Sequence, residues 1–105
     1  MPAYEEFEKE LDELTATAKR ALVAILLSDD RISKHAPYTW AKDDVNDHIL
    51  KAIGHIAYGM GQYHGYKKPD GEDHLHNAIT RLVMAKSIID RERAKVLQPT
   101  EPESR

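Results

Sequence analysis

The stretch GEDHLHNAITRLVMAKSIID, Gly71 to Asp90, decides how the rest of the chain is read. Leu75, Ala78, Ile79, Leu82, Ala85 and Ile89 recur there at steps of three and four, which predicts a helix with one apolar, buried face. Asp70 or Glu72 opens it, where a carboxylate suits the positive end of the helix dipole, and Arg91, Arg93 and Lys95 make its last turn basic. Val83, Met84 and Ile88 form a second apolar stripe off the main face, and monomers seldom leave such a stripe in water. Beyond it, Gln98 to Arg105 holds two prolines and no large apolar residue, so 1–97 is expected as a single domain and 98–105 as a disordered tail.

Upstream, His64 to Gly71 is rich in Gly, Lys, Pro and Asp and reads as a loop. Before it Val45, Ile49, Ile53, Ile56 and Met60 mark the apolar face of another helix, with Asp43 or Asp44 as N-cap and Gly59 and Gly61 ending or loosening it. Residues 29–42 have no clean period and include Pro37, Tyr38 and Trp40, so they read as a long ordered loop, longer than the connections of about 2 to 8 residues usual in bundles. From Pro2 to Leu27, Tyr4, Phe7, Leu11, Leu14, Ala18, Leu22 and Ile25 give a first amphipathic helix, ended by Ser28, Asp29 and Asp30. Past Ala21 it is apolar all round, which predicts neighbours on every side. No strand pattern occurs. The expected fold is all-α, a three-helix protomer with a long ordered loop between helices one and two. The end of helix one and the Val83/Met84/Ile88 stripe predict its assembly into a homo-oligomeric helical bundle.

A chain of 105 residues with 41% apolar content suffices for one core. Fifteen Lys and Arg against 18 Asp and Glu give a net charge of -3, which argues against a long duplex nucleic acid as partner. The absence of cysteine removes disulfides, thiolate metal sites and cysteine nucleophiles, and fits a reducing, cytoplasmic setting. The longest apolar run, Ala21 to Leu27, is far short of the ~18 residues of a membrane span, and the acidic N-terminus is not a signal peptide.

Six histidines are the composition's functional signal. Asp44, His48, Lys51, His55, Gly59 and Gln62 fall in one sector of the second helix, either a solvated face or a cleft in which His48 and His55 meet a ligand. His74, Asn77 and Arg81 make a matching stripe on the third helix, whose donors and guanidinium fork suit a phosphate, or else a capped helix start. Asp70, Glu72 and Asp73 could hold Mg2+ through carboxylates, or serve as helix caps. Trp40 beside Lys34 offers a flat apolar surface next to a cation, fit to stack a purine or to plug the bundle. No Gly-rich phosphate loop, Ser-His-Asp order, HExxH motif or paired-His spacing for zinc is present, so serine- or zinc-based hydrolysis is not expected. If His48, His55 and His74 converge on phosphate, affinity should rise as pH falls through about 6.5.

The run from Lys34 to Trp40, the segment Ala52 to His55, and GEDHLHNA before an apolar helix together resemble the small phage proteins described as dATP/dGTP diphosphohydrolase domains. The likeness spans Lys34 to Ile89. Lys34, Trp40, His55, His74, Leu75 and Ala78 stand at compatible spacing, while Gly54 takes the place of an Arg and Asn77 that of a second His. This resemblance implies an all-α, purine deoxynucleotide-binding protein that cleaves the α,β-phosphoanhydride with Mg2+, and it assigns no catalytic residue. The residues themselves leave two alternatives: an oligomeric bundle that sequesters a nucleotide, including a signalling nucleotide, and a helical protein-interaction module.

Overall fold

The computed structural model describes residues 3–97. The expected tail, 98–105, and Pro2 lie outside the described residues. The fold is all-helical among them: α1 (Tyr4–Leu26), α2 (Asp29–Lys34), a 3-10 turn (Thr39–Lys42), α3 (Val45–Tyr63) and α4 (His74–Leu97).

The expected long loop between the first two helices is therefore corrected. Ser28, Asp29 and Asp30 do end α1, but they also start α2: the Ser28 hydroxyl accepts from the Arg31 amide at 3.3 Å, and Lys34 pairs with Asp30 one turn away at 2.9 Å. Pro37 and a left-handed Tyr38 (φ 65°) then reverse the chain into the 3-10 turn that carries Trp40. Asp44 caps α3 through the Asn46 amide at 2.9 Å, as expected. Gly59 and Gly61 do not end this helix, which runs to Tyr63. α4 begins two to four residues later than expected, at His74, because Asp73 is its cap: one carboxylate oxygen accepts from the His76 amide at 3.0 Å.

The α3–α4 hairpin is the centre of the molecule, and α1 packs on α4 alone among the long helices. The seam inside the hairpin is not the one hydrophobicity predicts. On α3 the buried positions are His48, Ala52 and Gly59, the polar and small stripe, while Ile53 and Met60 of the apolar face stand more than half exposed. On α4 His74, Ala78, Thr80, Met84, Ala85 and Ile88 are buried, and Leu75 and Leu82 are largely exposed. Met84 and Ile88, expected on an outer stripe, thus belong to the protomer's own core. Gly59 sets how closely the helices approach, since a Cβ there would meet Leu75 at 3.0 Å. The apolar end of α1 is not enclosed on every side: Ala21 is buried, yet Val23 and Leu27 are exposed. Farther back, Tyr4, Phe7, Leu11 and Leu14 project into solvent, and the radius of gyration is 17.7 Å against about 13 Å for a compact domain of this length.

Candidate metal centre and adjoining groove

Histidines on facing turns of α3 and α4 meet across the seam. His55 and His74 bring Nδ1 to Nδ1 at 2.9 Å, and Glu72 Oε2 lies 3.4 Å from the first and 3.5 Å from the second. These three groups converge closely enough to hold one metal ion. Two members, His74 and Glu72, are held from behind. Asp70 accepts from His74 Nε2–H at 2.8 Å, which leaves Nδ1 of His74 as the acceptor and requires the proton between the two rings to come from His55. Asn77 donates its amide to Glu72 Oε2 at 2.9 Å. Gln62 and the Glu72 backbone amide both donate to Asp70 Oδ1, at 3.0 and 3.1 Å. Gly71, at φ 80°, makes the tight turn that lets Asp70 and Glu72 reach the same ring. The Tyr58 ring lies against His74, tilted, with ring centroids 4.9 Å apart.

The electrostatics follow from those contacts. Asp70 is held down to about 2, chiefly by the hydrogen bond from His74, then by the Glu72 amide and Gln62. Burial lowers the His55 pKa; Glu72 opposes that, while His74 and Arg81 add to it. His55 is consequently a poor cation and a ready nitrogen donor at neutral pH.

Two turns further along the seam, His48 is wholly buried with both ring nitrogens engaged: Nε2–H donates to the Trp40 carbonyl at 2.9 Å, and Nδ1 accepts from Arg81 at 3.1 Å. Trp40 and Arg81 line a groove of about 290 Å³ with Arg31, His35, Thr39 and Asn77. Arg91 lies over the Trp40 ring at 5.1 Å. Asn77 joins groove to triangle, because the residue on the groove wall also holds Glu72.

The structure thus brings Trp40, Asn77 and Arg81 to one groove and His55, Glu72 and His74 to one triangle, with His48 linking Trp40 to Arg81 from within. Lys34 is apart from both, exposed and paired with Asp30. Among the three acidic residues expected around Mg2+, only Glu72 is in the triangle. Asp70 backs His74, and Asp73 caps α4 with its second oxygen 3.4 Å from His76. The missing paired-His spacing was misleading, since the pair forms between helices and not along one. Arg31 and Tyr58 carried no period or motif that marks them, whereas Gln62 was legible as a member of the polar stripe on α3. A Cβ at Gly54 would meet nothing within 4 Å, so the backbone there has room for the side chain that the resembled pattern carries. No known protein family, characterised protein or solved structure matches this chain.

Proposed function

We propose that this chain binds a purine nucleoside polyphosphate in the Trp40–Arg81 groove and hydrolyses its α,β-phosphoanhydride with a divalent ion at the His55/Glu72/His74 triangle. One observation carries the reading: a groove lined by an indole and a guanidinium shares Asn77 with a group of metal-ligating side chains. Its volume is near the lower end for small-ligand sites, about 300 Å³. Trp40 supplies a surface for the base and Arg81 a charge-assisted donor for phosphate. Water adds to the α-phosphorus, the bond to the bridging oxygen breaks, and monophosphate and pyrophosphate result. A bound divalent ion would polarise the phosphoryl oxygen and lower the pKa of the attacking water. His48 acts on the ligand only through Trp40 and Arg81, which it holds in register.

Calorimetry with dATP, dGTP and a cyclic dinucleotide, in EDTA and then with metal, tests the binding. A purine nucleotide should bind more tightly than about 1 mM, worth ~4 kcal/mol, and Arg81→Ala should weaken it at least about tenfold. Tight binding with the nucleotide returned intact under every metal would favour sequestration. No binding would favour a helical interaction module.

Self-association is part of the same proposal, with a second copy as the occupant of the open apolar faces. Tyr4, Phe7, Leu11 and Leu14 continue the stripe whose later members, Ala18 and Ala21, are partly and fully buried. A protomer that leaves this stripe and the Ile53, Met60, Leu75 and Leu82 side chains in water lacks apolar cover.

A further inference from the structure

Two imidazole nitrogens at 2.9 Å have room between them for one proton or one ion. We propose that His55 Nδ1, His74 Nδ1 and Glu72 Oε2 are the protein ligands of an imidazole-seeking first-row divalent ion, of the Zn2+ or Fe2+ class and not Mg2+, with Asp70 as the residue that positions His74. The ligand set stands on geometry alone; its part in turnover rests on the nucleotide reading above.

Separations of 2.9, 3.4 and 3.5 Å put the three donor atoms on a circle of radius about 1.9 Å. An ion at the usual bond length of about 2.1 Å would then sit only ~0.9 Å above their plane. Ca2+, which takes ligands at about 2.3–2.6 Å, would stand farther out, about 1.3–1.8 Å above it, and is a cation of oxygen ligands. Mg2+ has a suitable size but prefers oxygen and keeps its water, whereas two of these three donors are imidazole nitrogens.

The donors are also held in place. A ligating histidine usually gives its other N–H to a carboxylate, and Asp70 takes Nε2–H of His74 at 2.8 Å, leaving the Nδ1 lone pair aimed into the triangle. Asp70 is itself fixed by two donors, Gln62 and the Glu72 amide, and the ligand carboxylate is fixed by Asn77. His74 cannot easily turn away, being buried and in contact with the rings of His55 and Tyr58. His55 need only move its proton from Nδ1 to Nε2 to become a ligand. Three protein donors leave coordination positions free, the pattern of catalytic and not of closed structural sites.

Titration of the nucleotide-free protein with Co2+, read by visible absorbance, tests this. The expected result is one bound Co2+ per chain with a ligand-field band. Binding should be lost in His55→Gln, weakened about 10- to 100-fold in Asp70→Ala, and partly restored in Asp70→Asn, whose carbonyl can still accept from His74. Asp73→Ala, which touches only the cap, should bind normally, and far-UV circular dichroism checks that each variant is folded. Millimolar Mg2+ should not displace the Co2+. Equal affinity in folded His55→Gln, displacement by Mg2+, or no binding tighter than about 1 mM would overturn the assignment. Because the titration contains no nucleotide, its failure is distinct from a failure of nucleotide binding in EDTA.

Discussion

Replacing His48 with alanine removes the one wholly buried side chain that ties α3 to both the Trp40 turn and α4. Two costs combine. Truncating a buried ring leaves a cavity, for which large-to-small core changes typically cost about 2–5 kcal/mol. The Trp40 carbonyl also loses the imidazole donor, an orphaned acceptor being worth about 1–3 kcal/mol. The terms overlap, because water can enter the space and reach the carbonyl, so we expect a net destabilisation of about 3–4 kcal/mol. In a domain of this size that lowers Tm by more than about 12 °C. Urea unfolding followed by circular dichroism in EDTA measures it without interference from metal. The same variant should lose nucleotide affinity even where it remains folded, since Arg81 is no longer aimed and the Trp40 turn is no longer tethered. A loss below about 1 kcal/mol with unchanged m-value would refute the reasoning, because a satisfied buried histidine cannot be that cheap to remove.

The other expectations can be tested on the same protein. Asp73→Asn should leave stability and turnover nearly unchanged, since asparagine also caps helices, whereas Asp73→Ala should cost about 1 kcal/mol in urea unfolding and still bind metal. The depressed His55 pKa means that the unfolded chain takes up protons first. Stability should therefore be full above the ordinary value of 6.5 and decline as pH falls below it. Metal affinity should fall in the same direction, which reverses the rise in nucleotide affinity expected if the histidines were phosphate-binding cations. Asp70, held down to about 2, contributes stability above its ordinary 3.8 that is lost as pH approaches 2. Sedimentation equilibrium at tens of micromolar should show an oligomer, and Leu11→Glu should shift it to monomer; a wild-type monomer would remove the proposed assembly.

The positions of the long helices were legible from apolar spacing and nearby capping residues: Asp44 stands where α3 begins, as read, whereas α4 was expected to open at Asp70 or Glu72 and is capped by Asp73. Which face is inside was not. Hydrophobic periodicity assigns Ile53, Met60, Leu75 and Leu82 to the core, but on α3 and α4 the buried positions include the small residues Ala52, Gly59 and Ala78 and the histidines His48 and His74. The polar stripes were visible as stripes, and their facing each other is a tertiary fact that no single-helix spacing encodes. α2 was missed for a local reason: Ser-Asp-Asp serves equally as the end of one helix and the cap of the next.

The central claim is that nucleotide groove and metal triangle form one hydrolytic site. Overnight incubation of dATP or dGTP with Zn2+, Co2+, Mn2+ or Mg2+, followed by chromatography, tests it most directly. The account predicts monophosphate and pyrophosphate in equal amounts, formed with an imidazole-seeking ion and abolished by Glu72→Gln in a protein that still binds nucleotide in EDTA. Nucleotide returned intact with all four metals, or hydrolysis undiminished in Glu72→Gln, would contradict it.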